Sequence, residues 1–370
     1  MKIAINGSQL FHLHTGIGQY VYYLLNSLAK IDNKNSYYIL TDKPLPYKWQ
    51  LPGNFTIVVL QAQNTEEWRR KSLVQFLLRK SISIYHDPNN GLFFPETKVC
   101  KLMVTIHDLI SYRLPATVPE HYLQNITKIL PEVISNSNLI ITDSINSSKD
   151  IYHYFPNLEK NKVKIVYPGI NDIYHPNYPL VKVKEMKAHY GINEDYILNI
   201  GGFIQRKNIF GLVNAYAQLL KKTTKKYQLV LVGNKCFTYK EVLKRTEALG
   251  INDMVIFTDY VPEQHLPLLY KGASLFVYPS LYEGFGLPPL EAQKCGTPVV
   301  SSNTSSLPEV LGNSAELCDP QNTDNIVDAM LRVLEDENYR KDLISRGFKN
   351  SRKFNWKKTA KKILECYFRI

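Results

Sequence analysis

Short runs of β-branched and aliphatic residues alternate with stretches of helical periodicity along most of the chain. In the first half, Lys2–Asn6, Tyr37–Thr41, Phe55–Leu60, Ile82–His86, Lys101–Asp108, Leu139–Ser144 and Val163–Tyr167 read as strands. Apolar positions three and four apart predict helices over Gly18–Lys30, Glu66–Lys80 and Pro119–Asn136. The alternation breaks at Pro168-Gly169-Ile170-Asn171-Asp172 and stays broken through Pro176 and Pro179. It then resumes, with strands over Tyr196–Gly201, Gln228–Gly233, Val255–Tyr260, Ser274–Pro279, Pro298–Ser301 and Ala315–Cys318. Strands alternating with helices predict mostly parallel sheets covered on both faces. The expected architecture is α/β, two doubly wound Rossmann-like domains in tandem over residues 1–172 and 185–350. In sheets of this kind ligands bind beyond the carboxyl ends of the strands, so a cleft between two facing domains is the expected site.

Length agrees with two domains, because 370 residues exceed what one hydrophobic core usually organises. No apolar run approaches the roughly 20 residues that span a bilayer, and the N-terminus enters a strand at once, so neither a signal peptide nor a membrane helix is expected. Five cysteines (Cys100, Cys236, Cys295, Cys318, Cys366) lie far apart without a C-x-x-C pair. That spacing disfavours a disulfide framework or a zinc site and fits a reducing cytoplasm.

Lys and Arg number 45 against 33 Asp and Glu, a formal charge of +12 that implies an anionic partner: nucleic acid, a diphosphate or a lipid surface. The cations fall in small groups, such as Arg69-Arg70-Lys71 and Lys357-Lys358 with Lys361-Lys362, which also fit solvated helix faces. No aromatic–basic recognition motif or zinc spacing supports specific nucleic-acid binding. Basic and aromatic residues in Trp68–Lys80 would suit peripheral contact with an anionic membrane, and the same stretch fits an amphipathic helix packed on the sheet.

Three loops carry candidate chemistry. The first, Thr15-Gly16-Ile17-Gly18, precedes an amphipathic helix; its glycines would let an anion approach free helix N–H groups, or would serve a tight turn. In the second, Arg206-Lys207-Asn208 follows a strand at the start of a helix, whose positive end disfavours cations. A bound diphosphate would neutralise the pair, and the Arg fork suits phosphate oxygens; a solvent-exposed basic turn is the other reading. The third loop runs Tyr282-Glu283-Gly284-Phe285-Gly286-Leu287-Pro288-Pro289-Leu290-Glu291. Pro288 and Pro289 fit a first helical turn, which places Glu283 in the loop and Glu291 in the young helix. Glu291 can accept hydrogen bonds from a ribose, or either glutamate can simply favour the helix N-terminus.

These residues resemble the retaining glycosyltransferases of family 4, which have the GT-B fold of two facing Rossmann-like domains with a deep interdomain cleft. Glu283 through Glu291 reads as the family's E-x7-E element, and Gly16-Ile17-Gly18, Thr105-Ile106-His107-Asp108-Leu109-Ile110, Val166-Tyr167-Pro168-Gly169-Ile170 and Arg206-Lys207-Asn208 extend the likeness over nearly the whole chain. The resemblance implies that Arg206 and Lys207 hold the donor diphosphate, Glu291 the ribose, and Glu283 faces the donor sugar. It further implies that Gly284, Phe285, Gly286 and Leu287 line sugar and phosphate, that Gly16 and Gly18 close over the phosphate, and that His107 lies near the reacting sugar. His86 is a weaker candidate for the cleft wall. Phe354-Asn355-Trp356 precedes a helix that resembles the family's terminal helix, implying that residues 355–370 pack back onto the first domain, with hinges near Pro168–Asn171 and Phe354. Two departures stand out: Thr15-Gly16 where the family often has two glycines, and Gln205 where an acidic residue is common.

The activity implied is a retaining transfer of a sugar from a nucleotide-diphosphate donor to a glycan or lipid-linked acceptor. No cofactor is expected, and no metal, because no Asp-x-Asp pair occurs in the sequence. Similarity of Thr105–Ile110 and Gly16–Tyr20 to bacterial mannosyltransferases of polysaccharide assembly points to GDP-mannose, and to a cytoplasmic enzyme that can sit peripherally on the inner face of the membrane. The rival readings are a sugar-nucleotide epimerase of GT-B-like architecture, which would need no acceptor, and a non-catalytic binder of nucleotide sugars or nucleic acid.

Overall fold

The computed structural model describes residues 1–235 and 237–370, so Cys236 lies outside the described residues. It contains two compact units, one made of Met1–Gly169 with Phe354–Ile370 and the other of Ile170–Lys353.

Seven strands build the sheet of the first unit: β1 (Lys2–Asn6), β2 (Ser36–Thr41), β3 (Phe55–Val59), β4 (Ile84–Asp87), β5 (Lys101–Ile106), β6 (Leu139–Thr142) and β7 (Val163–Ile165). They are all parallel, in the order β3-β2-β1-β4-β5-β6-β7. The second unit repeats the plan with β8 (Asp195–Ile200), β9 (Tyr227–Val232), β10 (Val255–Asp259), β11 (Leu275–Tyr278), β12 (Val299–Ser302) and β13 (Glu316–Cys318), again parallel, in the order β10-β9-β8-β11-β12-β13. Central strands such as Leu139-Ile140-Ile141-Thr142 and Tyr227-Gln228-Leu229-Val230-Leu231-Val232 are buried at every position. Continuous burial is what helices on both faces of a parallel sheet impose.

In each sheet the strand order reverses beside the first strand, between β1 and β4 and between β8 and β11. Loops that leave neighbouring strands there diverge to opposite faces and open a crevice at the carboxyl edge. The candidate loops of the second unit leave β8 and β11 at this point.

Strand ends differ by one or two residues from the sequence expectation, and β5 stops at Ile106 for a visible reason. His107 N–H donates to Asn90 Oδ1 (2.8 Å) and Ile110 N–H to Asp108 Oδ1 (3.0 Å), so side chains capture the backbone that the ladder would need. The stretch expected as one helix over Glu66–Lys80 is divided into a single turn at Thr65–Glu67, a π-helical turn at Trp68–Ser72 and a helix at Leu73–Arg79. The wide turn carries Arg69 inward, where Nε donates to Phe94 O (2.6 Å), while Trp68, Leu73, Phe76 and Leu77 enter the core. The aromatic residues that would have rested on a membrane are therefore committed to packing.

The last helix, Trp356–Tyr367, belongs to the first unit and packs on the helix Gly16–Ile31. The Trp356 ring stacks on Tyr23 (5.8 Å) and meets Tyr20 edge-on (5.5 Å), and Ala360, Ile363 and Tyr367 complete the layer. Thr359 Oγ1 donates to Tyr167 O (2.8 Å). A Cβ on Gly169 would lie 2.2 Å from the Trp356 backbone nitrogen, so only glycine permits this docking. Gly169→Ala should lower the stability of the first unit by roughly 2 kcal/mol and expose the last helix to protease. A melt and a digestion pattern identical to the parent chain's would refute that packing role.

Candidate functional site

In the second unit the cluster begins where β8 ends. Gly201 and Gly202 turn the chain, with Gly202 in the left-handed region (φ 73°), and a short 3-10 turn Gln205–Lys207 precedes the helix Ile209–Lys222. Asn208, also left-handed (φ 54°), caps that helix by accepting from Gly211 N–H. Arg206 and Lys207 therefore lie ahead of the helix, in a turn of their own. The mismatch expected between two cations and a helix N-terminus is resolved inside the chain, because Glu283 supplies the anion.

Glu283 sits in the loop after β11, and its Oε1 accepts from Arg206 Nη1 (2.8 Å) and Lys207 Nζ (2.7 Å). Lys207 Nζ also donates to the hydroxyl of Tyr278, the last residue of β11. Leu281 N–H donates to Arg206 O (2.7 Å) and Arg206 Nη1 to Tyr282 O (3.3 Å), so backbone and side chain both fasten the two loops together. A third loop, after β12, holds the backbone of Glu283: Ser305 Oγ accepts from its N–H (3.0 Å), and Ser306 Oγ donates to its carbonyl and to that of Phe285 (both 2.9 Å). Burial alone would raise the Glu283 carboxyl, but the charges of Arg206 and Lys207 hold it down at about 2.

Gly286 lies in the left-handed region (φ 99°) and caps the helix Leu287–Cys295, whose first turn holds Pro288. Glu291, one turn in, is buried on another side. Its Oε2 accepts from Tyr270 Oη (2.9 Å), Tyr174 is a second hydrogen-bond partner, and Glu263 lies near enough to repel it. Burial, aided by Glu263, pushes this carboxyl up to about 7 despite the tyrosine donors. Relative to an ordinary glutamate it keeps its proton longer in the folded chain, so its own contribution to stability is greatest below about pH 4.5 and is lost as pH rises toward 7.

In the first unit, His107 stands just beyond β5 and is buried. Its Nδ1 lies 2.6 Å from Asp143 Oδ2, its Nε2 3.1 Å from Pro88 O, and the Tyr20 ring meets it edge-on at 4.8 Å. Gly16 begins the helix Gly16–Ile31, with open space where its Cβ would be. Gly18 is confined: a Cβ there would lie 2.1 Å from His12 O, and its N–H is taken by Thr15 Oγ1 (3.1 Å). Thr15 thus acts as the helix N-cap, which accounts for a threonine where two glycines are often found. His86 is interior rather than a cleft wall. It is fully buried between Tyr367 Oη and Thr105 Oγ1 (2.8 Å each), and burial lowers its imidazole to about 3.

The geometry thus joins Arg206, Lys207 and Glu283, with Gly284–Leu287 continuing from them, and sets Glu291 apart among tyrosines. Sequence reasoning passed over Tyr278, Ser305, Ser306, Tyr174, Tyr270 and Asp143, whose pairings depend on strand order rather than spacing. Among the described residues no three His, Cys, Asp or Glu side chains gather into a possible metal-ligating group, and no helix is long and apolar enough to cross a membrane.

The family model described as "Glycosyl transferases group 1" matches residues 183–350. The O-antigen chain mannosyltransferase B of Escherichia coli is 33% identical over 284 residues, which cover 77% of this chain and 74% of that protein. The serotype-specific mannosyltransferase WbdA of the same species is 34% identical over 196 residues; the match covers 52% of this chain but only 24% of that longer protein. The solved sucrose-phosphate synthase of Thermosynechococcus elongatus superposes with a TM-score of 0.79 at 21% identity, over 100% of this chain and 98% of that one. Two Rossmann-like units with parallel sheets bear out the GT-B architecture expected from the sequence.

Removing the shared anion should be costly for the free protein. Glu283→Ala leaves two cations without their partner and should lower the stability of the second unit by roughly 3 kcal/mol. Because the folded carboxyl titrates near 2 instead of 4.5, its contribution is present above about pH 4.5 and disappears as pH falls toward 2. Acid melts of the parent and variant should therefore converge over that window, and a constant gap would contradict the charge assignment.

Proposed function

The chain belongs to the glycosyl transferases group 1 family, and from that premise we propose that it transfers mannose from GDP-mannose, with retention of anomeric configuration and without a metal, to a growing glycan or a lipid-linked acceptor. One observation carries the proposal: two cations are held at the carboxyl edge of β8 by a carboxylate from the loop after β11, beside a helix N-terminus at Leu287. Such a cradle suits a diphosphate, whose oxygens take the Arg206 fork, the Lys207 point charge and loop amides. The mannosyl donor is inferred from what the two Escherichia coli relatives are called.

In this reading Arg206 and Lys207 stabilise the negative charge that grows on the departing diphosphate, the work a divalent ion does in other glycosyltransferases. The bond from the anomeric carbon to the diphosphate oxygen breaks with its electron pair on the diphosphate. The acceptor hydroxyl oxygen attacks from the same face, and its proton passes to a diphosphate oxygen, giving glycosylated acceptor and nucleoside diphosphate. Glu283 positions both cations and faces the sugar, Gly284–Leu287 line sugar and phosphate, and Glu291 accepts from the ribose hydroxyls. In the first unit, Gly16 and Gly18 serve the phosphate and His107 the reacting sugar.

GDP-mannose should raise the melting temperature of the full chain, and Arg206→Ala or Lys207→Ala should abolish that shift. Transfer should vanish in Glu283→Ala and yield a product of unchanged anomeric configuration in the parent, as read by NMR. Stabilisation by no nucleotide sugar would end the proposal; an epimerised donor formed without acceptor would make the chain an epimerase instead. Ribose hydroxyls bond more strongly to an ionised acceptor, so donor affinity should strengthen as pH rises through about 7, and Glu291→Gln should flatten that dependence.

A further inference from the structure

The loop after β6 brings Asp143 to the His107 ring, and this pair goes beyond the family resemblance, which marks only the histidine. His107 is fixed at four points. Its N–H donates to Asn90 Oδ1 (2.8 Å) and its carbonyl accepts from Ser147 Oγ (3.0 Å), so the backbone cannot rock. The two ring nitrogens meet Asp143 Oδ2 at 2.6 Å and Pro88 O at 3.1 Å.

A backbone carbonyl can only accept, so the Pro88 contact places a proton on Nε2. The other contact is a carboxylate ahead of a helix N-terminus: Asp143 immediately precedes Ser144, the N-cap of the helix Ile145–Tyr154. The dipole of that helix favours a negative charge ahead of its first turn, which places a proton on Nδ1 as well. Asp143 Oδ1 is buried and makes no hydrogen bond among the described side chains, so the ring is the carboxylate's principal counter-charge. Other ionisable groups around the ring are Asp108 on its own loop, the Tyr20 hydroxyl from the first helix, and His86 on the adjoining strand β4. Burial opposes a charged ring, yet Asp143, through charge and hydrogen bond, and Asp108 push the imidazole above its ordinary range.

We propose that Asp143 is a positioning residue which holds His107 as an imidazolium, so that the ring meets the reacting sugar as a fixed cationic N–H donor to an oxygen lone pair and never as a base. The inference rests on the reading that His107 serves the sugar. It agrees with the absence of any proton abstraction by histidine in the transfer above, where the acceptor's proton leaves on the diphosphate. Pro88 O holds Nε2–H in the free chain, and a sugar hydroxyl oxygen replaces or shares that acceptor when substrate arrives.

The test uses the full chain with ¹⁵N-labelled histidine, its His107 signals assigned with His107→Gln. In the parent, both ring nitrogens should carry protons at neutral pH; in Asp143→Asn, the ring should be a neutral tautomer. Transfer by Asp143→Asn should lose roughly ten- to a hundredfold in kcat with little change in KM, its alkaline limb should move to lower pH, and Asp143→Glu should recover part of the loss. A neutral His107 ring in the parent overturns the proposal, and needs no variant to fold. Impaired His107→Gln beside a fully active Asp143→Asn overturns it alone. Full activity in His107→Gln overturns the sugar-side reading and this inference with it, while the loss expected in Glu283→Ala reports separately on the diphosphate cradle.

Discussion

Two cations brought together largely out of water are tolerable only with a carboxylate between them, and the second unit is arranged around that demand. Arg206 and Lys207 leave β8, Glu283 leaves β11, and the β12 loop supplies the serines that hold the Glu283 backbone. Three strand ends are thereby locked to one another by charge and hydrogen bonding, with Leu281 N–H on Arg206 O closing the ring. Desolvation would penalise each member separately, so losing any one exposes the cost of the others. The same arrangement leaves one net positive charge beside a helix N-terminus, which is a favourable place for an anion to arrive.

Parallel topology makes such a meeting feasible. Every strand of a parallel sheet ends at the same edge, and β8 and β11 are neighbours at the reversal of strand order, so the roots of their loops lie side by side. The first unit uses the same logic with other residues: β5 delivers His107, β6 delivers Asp143, and β4 leads to Pro88, three adjoining strands supplying a ring and both of its acceptors. In each unit the chemistry depends on which strands are neighbours, a property that no local window of sequence contains.

That dependence explains what could be read from the sequence and what could not. Strand and helix alternation is local, because β-branched runs and apolar spacing act over a few residues, and the two doubly wound units followed from it. Spacing also separated Glu283 in a loop from Glu291 in a helix, since Pro288 fixes where the helix begins. The partner of Arg206 and Lys207 was not legible: Glu283 is 76 positions beyond Lys207 in the chain. Charge alone therefore pointed to an outside anion and did not reveal the inside one that pairs with both cations. Asp143 was missed for the same reason, being 36 positions from the ring it pairs with. The π-helical turn at Trp68–Ser72 escaped detection because its extra residue preserves amphipathic character while rotating Arg69 inward.

Two glutamates eight positions apart show how far environment separates like side chains. Glu283 meets two cations and is ionised at any physiological pH; Glu291 meets two tyrosines and a neighbouring glutamate and titrates near neutrality. A carboxylate already saturated with cations is a poor acceptor for further donors but a firm brace for the groups it binds. A carboxyl that keeps its proton among hydroxyls is inexpensive to bury in the free protein, and it becomes a strong acceptor once donors from a ligand repay its ionisation. The difference in environment makes Glu283 a brace for two cations and leaves Glu291 a carboxyl buried among hydroxyls, a division that the E-x7-E spacing places in one loop and helix but does not itself specify.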